Sequence, residues 1–260
     1  MQRQTTPEPL ASRYREYQPG PELSAYVECF WTHESVMPQM GHRVLPDGCS
    51  DILFIRPAGA RPELLMVGTM TRAGLFDLPQ GDFLGVRFRP GMSAHFVTLP
   101  GTETVDQRLP LEDIWGAKAR RLHEELWESS SIKTSVVLFE TELRTQLATR
   151  SIKQHVPLPA DRVLRHAELK RGLVRVDELA HHAGLSARQF RRLCLQQTGL
   201  SPKQLCRAIR FRHAAVQARL AGRGEWSQVA LDCGYYDQAH FINEFRALSG
   251  LTPGEYCAAE

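Results

Sequence analysis

Three arginines, Arg188, Arg191 and Arg192, stand at helical spacings of three and four in the stretch SARQFRRLCLQQTGLSP, residues 186–202. On a helix that spacing lines them up on one side. Leu185, Phe190, Leu193 and Cys194 form an apolar anchoring set on the other. An arginine fork can bond O6 and N7 of one guanine together, and each good pair discriminates by about 1–3 kcal/mol. Gln189 and Gln196 offer secondary contacts, toward phosphate or solvent. A related stretch, DQAHFINEFRALSGLTP, occupies residues 237–253. Phe190, Gly199 and Pro202 recur as Phe241, Gly250 and Pro253, each 51 residues later. Here Phe241 and Phe245 anchor, while Gln238, Ala239, Ile242 and Asn243 face out. Amides match adenine N6 and N7, and Ile242 suits a thymine methyl. His240 and Arg246 suit phosphate. Two readings of this copy stay open: base recognition, or positioning on the backbone. Both copies end in Gly-x-Ser/Thr-Pro, which opens a new helix. The N–H groups of such a helix start, beside Ser201 and Lys203 in the first copy, can receive a phosphate.

Elements must hold these side chains out. A short apolar segment ending in glycine precedes each copy, at residues 179–184 and 229–234. Each copy therefore reads as helix–glycine–helix. Ser186 is a natural cap for the first outward helix, and Ser201-Pro202 opens a long helix to about Ala221. Gly222 and Gly224 then break the chain. Ser227 is expected to cap residues 228–233, and Asp237 the second outward helix.

Charge is placed unevenly. The net charge of +3 divides into +5 over residues 155–260 (15 Lys and Arg, 10 Asp and Glu) and −2 over the rest. Residues 179–223 hold nine basic residues and no acidic one. A single-sign run of that length suggests a polyanion partner. The six cysteines show no CxxC and fit reduced cytosolic thiols. No apolar run reaches membrane-spanning length, and the first residues lack the apolar core of a secretory signal. The expected location is cytoplasmic, nucleoid-associated when DNA is bound.

Earlier in the chain the pattern is β. Residues 1–20 are polar, a loose arm at least to Ser12. Strands are expected at 25–31, 51–55, 64–67 and 83–88, between Pro/Gly breaks. With no helical period among them, they point to an antiparallel barrel or sandwich. After Pro110 helices follow, with a stripe of Val136, Phe139, Leu143 and Leu147 that must bury on the barrel or on a second subunit. The fold class is α+β: a domain at 1–150, a linker at 151–159, and an all-helical domain at 160–260.

The helical part resembles the AraC/XylS family of bacterial transcription regulators. The match rests on Gly199-Leu-Ser-Pro202, Arg210-Phe-Arg-His-Ala214, Ala230-Leu-Asp-Cys-Gly234-Tyr235, and then Phe241, Phe245, Arg246, Gly250, Thr252, Pro253 and Tyr256. Asn243 departs from the family, which often has Arg there. The first copy is therefore the expected base reader and the second its weaker or positioning partner. Residues 45–48, 51–54, 67–68 and 85–91 resemble, more faintly, the cupin-like sensor domains fused to such heads. The resemblance implies two helix-turn-helix units on double-stranded DNA, a barrel with a small-molecule pocket, a homodimer, contact with RNA polymerase if the protein activates, and no membrane partner.

In the barrel Trp31, His33, Arg43, Asp51, Arg87 and Arg89 are candidate pocket residues. Arg87 and Arg89 are two apart on an expected strand and could clamp a carboxylate. Alternatively the arginines pair with Asp47 and Asp51. The histidines are scattered, so no metal is expected, and His181-His182 reads as surface. No cofactor or catalytic residue is assigned. The rival classes are an enzyme or DNA-repair protein targeted by the helical head, with Cys49 its one candidate nucleophile, and a partner-binding protein that senses nothing.

Overall fold

The computed structural model describes residues 13–153, 161–222 and 224–259. The arm through Ser12, most of the expected linker, and Arg223 lie outside these.

The strands come first: β1 (Arg13–Tyr17), β2 (Val27–Ser35), β3 (Gln39–Val44), β4 (Ser50–Pro57), β5 (Glu63–Val67), β6 (Gly74–Leu78) and β7 (Gly81–Phe88). A 3-10 turn at Met92–His95, a single helical turn α1 (Gly101–Thr104) and β8 (Arg108–Pro110) follow. Six strands make one antiparallel sheet in the order β1-β2-β7-β4-β5-β8, while β3 and β6 pair with each other in a second sheet. The expected β domain is present; among the described residues the two sheets are not joined by strand pairing. Side chains of both sheets instead face a cavity between them.

Strand alternation gives the large sheet two faces. Phe30, Ile52, Phe54, Leu64, Met66, Leu84, Val86 and Phe88 turn to one side. There they meet α2 (Leu111–Trp115), α3 (Ala117–Glu128) and α4 (Ile132–Lys153) through Leu111, Leu122, Leu126, Phe139 and Leu143. The apolar stripe of α4 thus buries on the sheet.

The helical half comprises α5 (Asp161–Leu169), α6 (Val176–His182), α7 (Ala187–Thr198), α8 (Pro202–Ala221), α9 (Trp226–Asp232), α10 (Gln238–Ser249) and α11 (Pro253–Ala259). Ser186 with Gln189 and Ser201 with Gln204 form capping boxes at the starts of α7 and α8. Asp237 caps α10, accepting from the His240 N–H at 2.7 Å. The start of α9 differs from expectation. Its cap position is Glu225, without a side-chain bond, and the Ser227 hydroxyl donates to Gln238 Oε1 at 2.6 Å. Ser227 therefore ties α9 to α10 instead of opening α9. The long α8 serves two cores. Leu205 and Ile209 join Leu179, Phe190 and Cys194, while Phe211, Ala214 and Ala218 join Val229, Phe241, Phe245 and Tyr256.

The β domain packs on the first of these cores. Met92 is buried within it, and Gly48 lies against Leu205 and Ile209 of α8. One approach is backbone to backbone. Gly199 ends α7 in the left-handed region (φ 73°), and a Cβ there would overlap the carbonyl oxygen of Gly101. A Cβ on Gly101 would overlap the Gly199 nitrogen in turn. Gly250, the matching end of α10 (φ 78°), meets only the guanidinium of Arg43. Gly199→Ala should therefore cost about 2–4 kcal/mol, adding overlap to the left-handed penalty. Gly250→Ala should cost about 1–2 kcal/mol. Denaturant unfolding of the two variants checks the difference.

Candidate nucleic-acid interface and β-domain cavity

The capping box at Ser186 starts α7 where its outward face begins. Phe190 and Cys194 are fully buried beneath it, and Leu185 and Leu193 pack at the core edge. Arg188, Arg191, Arg192 and Gln196 are exposed. Gln189 is turned back on the cap, its Oε1 accepting from the Ser186 N–H at 3.0 Å and hydroxyl at 2.8 Å. Ser201 is likewise held by Gln204, with Lys203 exposed beside it. On α10, Phe241 and Phe245 are buried, Ile242 is half-buried, and Ala239, Asn243 and Arg246 are exposed. Gln238 is engaged by Ser227, and His240 Nδ1 accepts from the Tyr236 N–H at 3.3 Å.

The eight described basic residues of this run split into two groups. Arg207 makes a double contact with Glu244 of α10, at 2.6 and 3.0 Å. Arg210 lies over the Tyr235 ring at 4.6 Å, and Arg219 over Tyr256 at 5.1 Å. Arg212 crosses to β2 and grips both oxygens of Glu28, with the Cys49 sulfur 3.6 Å away. These α8 arginines are structural, which sequence reading missed because their partners are remote in the chain. The outward positive charge of the first unit rests on Arg188, Arg191, Arg192 and Lys203.

The families known by sequence match the two halves separately. The chain matches a helix-turn-helix domain family over residues 179–259 and a domain of unknown function (DUF6597) over residues 15–110. Residues 179–259 form a helix-turn-helix domain. Among curated proteins, the HTH-type transcriptional regulator ArgR of Pseudomonas aeruginosa is 30% identical over 112 residues, 43% of this chain and 33% of its own. An uncharacterized HTH-type transcriptional regulator of Haemophilus influenzae is 30% identical over 81 residues, 31% of this chain and 27% of its own. The chain spans a third or less of the length of these relatives. Among solved structures, an AraC-type DNA-binding-domain protein from Chromobacterium violaceum is 25% identical over 38% of this chain and 89% of its own, with TM-score 0.36. ToxT of Vibrio cholerae is 11% identical over 88% of this chain and 95% of its own, with TM-score 0.41.

The face of the large sheet turned from α2, α3 and α4 lines a cavity of about 1040 Å³. Gly85 of β7 lies opposite Trp31 of β2, and its missing side chain leaves room for the indole to lie across the strand. Trp31 Nε1 donates to Asp51 Oδ1 at 2.8 Å. Arg87 sits 3.5 Å from Asp51 and 3.7 Å from Asp47. Burial pushes the Asp51 carboxyl up against the opposing pull of Arg87. The Asp51 charge keeps Arg87 firmly protonated. His33 Nε2 is buried without a hydrogen-bond partner, and burial beside His42 holds the His33 pKa below its usual value.

Trp31, His33, Asp51 and Arg87 line this cavity; Arg43 and Arg89 do not. On β3 the alternation turns His42 and Val44 inward, and Arg43 donates to the Ser249 carbonyl at 2.5 Å. Arg89 lies past the end of β7 and pairs with Glu168 of α5 at 3.0 Å. Arg87 and Arg89 form no shared clamp: Arg89 lies beyond the strand, and Arg87 pairs with Asp47 and Asp51, the alternative reading. Tyr14, His42 and Arg108 line the cavity from segments whose sequence gave no strand signal, and Arg219 reaches it from α8. Among the described residues no helix is long and apolar enough to cross a membrane.

Contact between the halves has a pH signature at Glu28. Burial raises the carboxyl pKa, but the hydrogen bond and charge of Arg212 outweigh it, and the net shift is downward. A lowered carboxyl contributes stability that is complete above the ordinary glutamate pKa of about 4.3 and is lost as pH falls through the folded value. Glu28→Gln should lower stability at pH 7 by about 1.5–3 kcal/mol, the range for hydrogen bonds to charged groups. It should also shrink the loss of stability below about pH 4. Melting temperatures across pH 3–8 for both proteins test this.

Proposed function

We propose that the protein is a sequence-specific DNA-binding transcriptional regulator whose β domain takes a small-molecule effector. The observation that carries the reading is the outward row of Arg188, Arg191 and Arg192 on the second helix of a capped helix-turn-helix unit. In such a unit the second helix enters the major groove. The 20 residues of α8 span about 30 Å at 1.5 Å per residue. That is close to one turn of B-DNA, about 34 Å. Two outward helices held at the ends of such a spacer suit successive major-groove segments on one face of the duplex. In this reading α7 supplies base contacts through its arginines. Lys203 and Arg246 neutralise phosphates, and α10 contributes Ala239, Asn243 and the edge of Ile242. Ser186, Gln189, Ser201 and Gln238 act as positioning residues, since their side chains are tied to caps and to α9.

The cavity suits a molecule with an apolar body and a polar group. Trp31, Leu53, Phe76 and Phe83 supply the walls, and the unpartnered His33 Nε2 supplies a polar anchor. Because Arg219 of α8 lines the same cavity, an occupant would touch the helix that joins the two DNA-reading units. That contact is the route by which binding would change DNA affinity. The exposed Trp127, Ile132 and Val137 on α3 and α4 supply an outer apolar face for a second copy of the chain. We assign no catalytic role. Cys49, the thiol an enzymatic reading would use, is buried beside Glu28 and Arg212, and burial pushes its pKa well above the usual value. That is the wrong direction for a nucleophile.

Selection of bound sequences from a random pool, followed by binding titrations, tests the proposal. Arg191→Ala should weaken the selected site and lose about 1–3 kcal/mol of discrimination at one base pair. Equal weakening on all sequences would move Arg191 to a phosphate role. Binding should fall steeply between about 50 and 200 mM salt. A salt-independent affinity would sink the DNA reading. For the cavity, a stabilising metabolite found by thermal-shift screening of the full chain should change Trp31 fluorescence and lose its effect in His33→Leu.

A further inference from the structure

The first helix-turn-helix unit carries a second cluster of polar chemistry, between α5 and α6. Glu178 and His182 are four residues apart on α6, so their side chains share one face. His166 of α5 reaches the same place. One ligand-type atom from each of the three lies within 4.8 Å of the others. His166 Nε2 is buried, makes no hydrogen bond, and stops 3.8 Å from Glu178 Oε1. That is too long to be a hydrogen bond. The His166 and His182 rings stack with centroids 5.1 Å apart and planes 25° from parallel. His182 Nδ1 lies 2.8 Å from the backbone carbonyl of Glu178. A carbonyl oxygen only accepts, so Nδ1 carries the proton and Nε2 keeps its lone pair. Holding one ring nitrogen on a carbonyl while the other stays free is how metal-binding histidines are oriented.

We propose that His166, Glu178 and His182 form a binding site for a divalent transition-metal ion of the zinc class, which ties α5 to α6. Two imidazole nitrogens and one carboxylate oxygen are a zinc donor set, with the fourth position left to water. Calcium and magnesium would ask for a cage of oxygens, which this cluster does not offer. Zinc bonds of about 2.0–2.2 Å in tetrahedral geometry place ligand atoms roughly 3.3 Å apart. The three side chains must therefore close by roughly 1.5 Å at most, starting from the observed separations and that geometry. The exposed Glu178 carboxylate can swing inward, while His182 stays on the Glu178 carbonyl and the half-buried His166 holds its place. Coordination would also give the buried His166 Nε2 the partner it lacks. The site lies behind the recognition helix: α6 packs against α7 through Leu179 and Ala180, so the ion would stiffen the support of α7 without adding charge to its outward face. Sequence reading did not bring this cluster together: His166 stands 12 residues before Glu178, and the one obvious histidine pair, His181-His182, puts a single member in the cluster.

The test uses the full chain, stripped with a chelator and titrated with Zn²⁺ by calorimetry and with Co²⁺ by visible absorption. One equivalent of Zn²⁺ should bind and raise the melting temperature, and Co²⁺ should develop the absorption of a low-symmetry site. His166→Gln and His182→Gln should each weaken binding by about tenfold or more, at least the loss seen for residues that only orient metal ligands. His181→Gln should leave it unchanged. Metal-free circular dichroism and melting of each variant serve as folding controls. Should a histidine variant fail to fold, Glu178→Gln, altered at an exposed position, makes the same comparison. Absence of saturable binding up to roughly 100 μM Zn²⁺, far weaker than structural zinc sites, overturns the proposal. So does one-to-one binding that survives these substitutions, because it would place the ion elsewhere, for instance on cysteine.

Discussion

Gly101 and Gly199 bring two backbones closer than any side chain would allow, and the arrangement of the halves depends on that approach. Gly199 has a second duty, since its left-handed conformation ends α7 and permits the turn to Ser201. One residue therefore stops the first outward helix, opens the path to the long helix, and lets the β domain settle. The surrounding contacts follow from this seating. Met92 enters the first helical core, Gly48 rests on Leu205 and Ile209, and Arg212 reaches Glu28. His95 meets Asp161 at 2.9 Å along the same seam. Loss of the seating would expose apolar surface and strand several charges together.

Positive charge in this protein has two separate tasks. On α8 the arginines face carboxylates and aromatic rings within the fold, and they lash α10, α11 and β2 to the central helix. On α7 the arginines extend away from the buried Phe190 and Cys194. Both sets looked alike in the one-dimensional run because charge sign carries no direction. Direction comes from helical phase, which the apolar anchors set, and from acidic partners such as Glu28, 184 residues from Arg212.

Short-range signals were legible and long-range ones were not. Ser186, Ser201, Asp237, Gly199 and Gly250 act within four residues of themselves, so the caps and ends of α7, α8 and α10 could be read directly. The strands rich in aromatic and branched residues were equally plain. RYREY, QMGHRV, GLFDL and RLP lack that pattern, because these strands lie at sheet edges or in the small second sheet. Part of the cavity was consequently invisible: it takes Tyr14, His42 and Arg108 from those segments. Arg43 and Arg89 were misplaced for a related reason. A shift of one residue in strand phase, or an early strand end, sends a side chain to the opposite face.

The contrast between Gly199 and Gly250 bears on how the two repeats can change over generations. A substitution at the end of the first repeat must satisfy a neighbouring domain as well as its own turn. At the end of the second, the nearest atom is the movable tip of Arg43. The end of the second repeat is therefore the more permissive ground for drift. The internal duplication supplies one copy that anchors and one that can wander.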